Sequence, residues 1–211
     1  MVEYANLVPE RLRQGQNQAP SLRCCFMRKG NRMIFQEGVF LLEYPSRKQP
    51  RLTQYNYRSN GAYFVTICAH QRKSIFSRIN PVNQQGMFCY QLTPFGEIAA
   101  ANLLKLEQRF PDAKIEKYTI MPNHIHAIIS LDRSTPTGAS LSDIICAYKS
   151  LTTRECKRLS QIEKVFQNSF HDHVIRSQKD YEMIWQYIDS NPRRWREDCF
   201  YEESQNIEDY P

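Results

Sequence analysis

No apolar run in this 211-residue chain approaches the roughly 18–20 residues of a membrane span, and no signal-peptide core opens it, so neither membrane insertion nor export is expected. Cysteine occurs seven times, at Cys24, Cys25, Cys68, Cys89, Cys146, Cys156 and Cys199, an odd count without a C-x-x-C pair. That spacing argues against both a disulfide framework and a zinc knuckle, and a reducing cytoplasm is the natural compartment. Charge of one sign does not dominate: 28 Lys and Arg are interspersed with 22 Asp and Glu, for a net +6 and a pI near 8.9. This balance permits a polyanionic partner without demanding one, and the missing span and signal-peptide core favour nucleic acid over a membrane.

The length fits one medium domain with an appendage. Residues 1–50 lack sustained periodicity and read as a weakly structured extension, with a short hairpin about Gly38. Residues 51–198 carry the periodic segments, and 199–211 read as an acidic, mobile tail.

Residues 118–131, YTIMPNHIHAIISL, organise the chain. The run alternates polar and apolar at its start and then becomes continuously apolar, as a strand does on entering a buried sheet. His124 and His126 therefore share one face, their Cα atoms about 6.5–7 Å apart, close enough for the rings to converge on one ion. A third ligand must come from elsewhere, and the pair alone does not fix a function, since His-x-His also suits half-buried sheet residues.

Around this strand the elements follow in order. Residues 62–69, AYFVTICA, predict a first core strand; 70–86 read as a polar loop, and MFCYQLT as a short edge strand. Thr93-Pro94 opens a helix to about Phe110, with Ile98, Ala101, Leu104 and Leu106 inward. Residues 114–120 form a strand joined to the histidine strand by Met121-Pro122-Asn123, a bend short enough to make the two antiparallel. The segment 132–140 is a loop by composition, 141–159 a helix with Lys149, Arg154, Lys157 and Arg158 outward, and 166–176 the fourth strand.

A last helix begins at Ser177, which with Asp180 resembles a capping box, and stops at Pro192. On it Tyr187 and Asn191, four apart, lie on nearly one face. Tyr181, six residues before Tyr187, points elsewhere. The order is that of a ferredoxin-like split βαβ fold: α+β, a four-stranded antiparallel sheet with the histidine strand central, plus a C-terminal helix that carries the tyrosine across the open face.

Two imidazoles and an amide or carboxylate oxygen would leave open positions on Mg²⁺ or Mn²⁺ for phosphodiester oxygens. A tyrosine beside such an ion could attack phosphorus and form a phosphotyrosine that preserves the bond energy for rejoining. On the stretches YNYRSNGAYFVTICAHQRKSIF, YTIMPNHIHAIISL, LSDIICAYKSLTTR, HDHVIR and YIDSNPRRW, residues 51–198 resemble the single-tyrosine HUH transposases, closest to the REP-associated, IS200-like branch. The resemblance implies metal-dependent nicking and joining of single-stranded DNA near a hairpin in the bacterial cytoplasm, at nucleoid DNA. Tyr187 would be the nucleophile, and His124, His126 and Asn191 the ligands of Mg²⁺ or Mn²⁺. It further implies DNA contacts by basic residues such as Lys149, Arg154 and Arg176. It admits either a homodimer exchanging the tyrosine helix or a single subunit.

Two departures stand out. Phe166-Gln167-Asn168 replaces the family's Trp-Gln-Arg, and Asn191 precedes Pro192, which disfavours helical backbone there. His171-Asp172-His173, a second His-x-His, is assigned to a sheet edge. Besides the enzyme, two other classes are consistent with the chain: a catalytically quiet, domesticated binder of hairpin DNA, and a phosphohydrolase for small substrates. The last is disfavoured because no compact polar-pocket signature is present.

Overall fold

The computed structural model describes residues 55–79, 89–132 and 138–201 in full, and the backbone of Asn80 and of two further segments. Those segments are β1 (Arg32–Gln36) and β2 (Val39–Glu43), which pair antiparallel with Gln36 opposite Val39, the hairpin expected about Gly38. The rest of the expected extension, and residues 202–211 of the expected tail, lie outside the described residues.

From there the described elements run β3 (Gly61–Cys68), β4 (Ser77–Asn80), β5 (Cys89–Leu92), α1 (Pro94–Leu104), α2 (Leu106–Arg109), β6 (Ala113–Ile120), β7 (His124–Leu131), α3 (Leu141–Leu159), β8 (His171–Ile175) and α4 (Gln178–Ser190), then a 3-10 turn, Asn191–Glu197. Four of the strands form one sheet in the order β6-β7-β3-β8, with every neighbour antiparallel. Two crossovers, β3-α1-β6 and β7-α3-β8, interleave to give the expected split βαβ plan. β7 is an interior strand, as expected.

Strand periodicity divides the residues between two layers. Tyr63, Val65, Ile67, Ile125, Ala127 and Ile129 pack with Leu103, Ile144, Ile145 and Tyr148 in the main core. Ala62, Ile128 and Ile175 pack with Tyr181, Ile184 and Ile188 of α4. His124 and His126 share parity with Ile128 and so face α4. Because both faces of β7 are covered, its sequence turns continuously apolar after the histidines.

Several local readings need correction. The inward face of α1 is Phe95, Ala99, Asn102 and Leu103, while Ala101 is exposed and Leu104 is 48% exposed. The helix is interrupted at Lys105, which turns Leu106 inward on α2. β5 is no edge strand of the main sheet: it pairs with β4, inside the segment read as loop. That two-stranded ribbon fixes the start of α1, where Thr93 accepts from Gly96 N and its own N–H donates to Phe76 O. The fourth strand is shorter than expected, with Phe166 making one isolated bridge to Ala69.

Candidate functional site

β7 presents His124 and His126 from a strand paired on both sides, with exposures of 0% and 1%. Their Nε2 atoms converge to 2.9 Å. Each ring is oriented by its other nitrogen. His124 Nδ1 lies 2.8 Å from Asn123 Oδ1, and Asn123 Nδ2 donates to Phe200 O at 2.8 Å. The second bond fixes the amide, so its oxygen accepts from His124 Nδ1–H and leaves the Nε2 lone pair pointing into the site. His126 Nδ1 lies 2.9 Å from Thr66 Oγ1 on the paired strand β3.

Burial pushes both imidazoles toward the neutral form. The His124 pKa falls to about 3 through desolvation, aided by the Arg72 guanidinium; that of His126 falls through desolvation and its neighbour His124. Neutral imidazole is the form that binds a metal.

α4 delivers the phenol. Tyr187 Oη stands 3.3 Å from His126 Nε2 and 3.2 Å from Asp198 Oδ2, with its ring also edge-on to Phe64. Tyr181 instead sinks into the layer between α4 and the sheet, where burial raises its pKa to about 12. The helix is therefore rotated so that Tyr187, and not Tyr181, reaches the histidines.

The chain beyond α4 is packed as far as Tyr201, which includes the first three residues of the expected tail. Asn191 has φ −56° and ψ −45°, so helical backbone is kept in spite of Pro192. The 3-10 turn brings Trp195 and Phe200 against His124, with ring centroids at 5.9 and 4.6 Å. Asp198 follows, its side chain 1% exposed and Oδ2 4.0 Å from His124 Nε2. One ligand atom from each of His124, His126 and Asp198 can be chosen with all three within 4.8 Å of one another. A first-row or magnesium ion with bonds of about 2.1 Å sets ligand separations of about 3.0 Å between neighbours and about 4.2 Å across. The observed 2.9 and 4.0 Å fit that donor set.

Asn191 is buried and its Nδ2 has no hydrogen-bond partner. Lys149 sits on α3 with its ammonium on the carbonyls of Gln167, Asn168 and Ser169. It lines an open groove with Arg154, Lys157 and Lys164 between α3 and residues 163–168. That segment is bonded to the end of β3, Gln167 N to Cys68 O and His70 N to Val165 O, and Cys68 is the register partner of His124. Arg176 is exposed after β8. At the sheet edge His173 Nε2 meets Asp180 Oδ2 at 2.9 Å. Ser177 accepts from Asp180 N as a cap, and the Asp180 carboxylate is directed to His173.

Sequence reasoning missed Asp198, Arg72 and Phe200. Asp198 lies in a mixed-charge run that reads as solvated. Arg72 stacks over Phe200 at 5.1 Å, on two successive left-handed residues, Gln71 and Arg72, at φ 54° and 55°. Such non-glycine backbone is uncommon and was the local signal no pattern could supply. Cys68, also beside the site, is a poor thiolate: burial pushes its pKa up to about 11.

A family model described as "Transposase IS200 like" matches residues 97–191, a span holding both histidines, Tyr187 and Asn191. An uncharacterised protein of Haemophilus influenzae is 32% identical over 173 residues, covering 74% of this chain and 93% of its own. Among solved structures, the REP-associated tyrosine transposase bound to a REP hairpin is similar at 21% identity, with TM-score 0.49 over 68% of this chain and 74% of that one. On its sequence, the chain belongs to the IS200-like transposase family.

Proposed function

We propose that the protein nicks and rejoins single-stranded DNA beside a hairpin, in a metal-dependent reaction through a 5′-phosphotyrosine at Tyr187. The observation that carries this reading is the Tyr187 hydroxyl 3.3 Å from His126 Nε2, a weak nucleophile set against a converging pair of neutral imidazoles. His124 and His126 would hold Mg²⁺ or Mn²⁺, with the Asn191 amide oxygen as a further ligand. Asn191 is buried and its amide nitrogen has no hydrogen-bond partner. When bound, the ion supplies charge neutralisation at the phosphodiester and at the phenolate.

The protein residues do the rest. α4 carries Tyr187 to the histidines, and Phe64 and His126 pack edge-on against its ring. The Oη–P bond forms as the P–O3′ bond breaks; the phenol gives up its proton and the departing 3′-oxygen gains one. Rejoining reverses these changes and needs no nucleotide cofactor. Arg154 and Arg176, both exposed, would meet DNA phosphates directly, whereas Lys149, engaged with carbonyls, would act through its field. A homodimer that exchanges α4 and a single working subunit both agree with this chemistry.

A second reading is favoured by the burial of the histidine pair beneath Phe200: a binder of hairpin DNA that does not cut. One experiment separates the two. Full-length protein with Mn²⁺ and a single-stranded hairpin oligonucleotide should yield a covalent adduct, and mass spectrometry should place it on Tyr187. Tyr187→Phe should lose the adduct and keep hairpin affinity, and His124→Ala should lose cleavage while keeping most binding. Attachment at another residue rejects the assignment; hairpin binding with no adduct from the native protein establishes the binder instead.

A further inference from the structure

We infer that Asp198 is a protein ligand of the same ion and the positioning residue for the Tyr187 phenol, so that the site is completed from beyond α4. This rests on the metal-dependent reading above and adds a carboxylate to the ligands proposed there, His124, His126 and Asn191.

The carboxylate makes two kinds of contact. Oδ1 accepts from Phe200 N at 2.7 Å, a local turn that closes the segment after the 3-10 turn. Oδ2 points inward, accepting from Tyr187 Oη at 3.2 Å and standing 4.0 Å from His124 Nε2. The side chain is 1% exposed, and it faces the histidine pair and the Tyr187 hydroxyl. A buried carboxylate is costly unless a cation or strong donors meet it, and the Nε2 atoms of His124 and His126 beside it would complete a chelate. The placement is well supported. Trp195 and Phe200 stack on His124, Asn123 donates to Phe200 O, and Arg72 covers the outer face of the Phe200 ring. The residues that fix the His124 tautomer thus also fix Asp198, which couples the two ligands mechanically.

A purely structural role for Asp198 makes a different prediction. Asparagine keeps an Oδ1 acceptor for Phe200 N, so Asp198→Asn preserves the turn and removes the charge. Titrating Mn²⁺ alone against the full chain should show dissociation constants raised by about 10- to 100-fold in Asp198→Asn, with the melting temperature in chelator unchanged. Asp198→Glu should recover part of the affinity. Should the substituted chain fail to fold, a crystal of the native protein soaked in Mn²⁺ decides the point, by anomalous scattering, from the ion's distance to Asp198. Unchanged affinity in a folded Asp198→Asn, or an ion on the histidines with Asp198 out of contact, overturns the inference while leaving Tyr187 chemistry standing. Asp198-dependent Mn²⁺ binding in a protein that forms no DNA adduct upholds the inference and rejects the nuclease. Native protein that binds no Mn²⁺ overturns both.

Discussion

At the scale of residues, the site depends on keeping two imidazoles neutral in a dry place. His124 titrates near 6.5 when unfolded and is pushed to about 3 when native. Between those values the unfolded chain binds more protons, so this residue contributes stability above about pH 6.5 that is lost progressively as pH falls toward 3. In chelator, urea midpoints should drop between pH 7 and pH 5, by up to about 1.4 kcal/mol of stability per pH unit from this group. His124→Gln should flatten that dependence; an equal slope in the variant would show that other groups carry it. The pairing of His124 with His126 was readable from period two alone. The tautomer was not, because it is set by Asn123, whose amide is oriented by Phe200 O from a distant segment.

At the scale of elements, caps and close approaches decide where each helix begins. α3 starts with a full capping box between Ser140 and Asp143, and its bounds follow from the sequence. α1 is harder. Its first turn abuts the ribbon of β4 and β5, and a Cβ built on Gly96 would lie 1.9 Å from Phe76 O, a backbone atom that cannot swing aside. Gly96→Ala should therefore destabilise the fold by about 3 kcal/mol or more, seen as a lowered melting temperature with the sheet's circular dichroism retained before the transition. A neutral substitution would mean the ribbon is free to shift. The face of α1 was misassigned from sequence because every third or fourth position offers Ala, Ile or Leu, and such a helix has no sharp apolar side. On α4 the sequence favoured Tyr187 over Tyr181 because Asn191 follows it at plus four and the family resemblance falls there, and in the structure Tyr181 lies on the buried stripe with Ile184 and Ile188.

At the scale of the molecule, a basic groove along α3 and a deeply buried metal-capable cluster meet at one end of the sheet, near Cys68. No helix among the described residues is long and apolar enough to cross a membrane. If hairpin DNA is held by phosphate contacts, log affinity falls linearly with log salt. Arg154→Ala and Arg176→Ala should each then lower the slope by about 1, while Tyr187→Phe leaves it unchanged. Fluorescence anisotropy across a salt series measures this. Slopes equal to that of the native protein would remove both arginines from the DNA surface. Lys149→Ala should act mainly on stability, by releasing residues 167–169.

The amino-acid order by itself determined the split βαβ plan, the central histidine strand and the helix that follows the last strand, because period, caps and turn residues are local and each acts within a few positions. The tertiary structure decided what surrounds the histidines. Tyr187 meets His126 across 61 positions of chain, and Asp198 arrives only because a 3-10 turn and two aromatic rings fold back over β7. A carboxylate in a mixed-charge run carries no periodic signal of burial; its role is set by desolvation and by partners that become neighbours only when the sheet is covered.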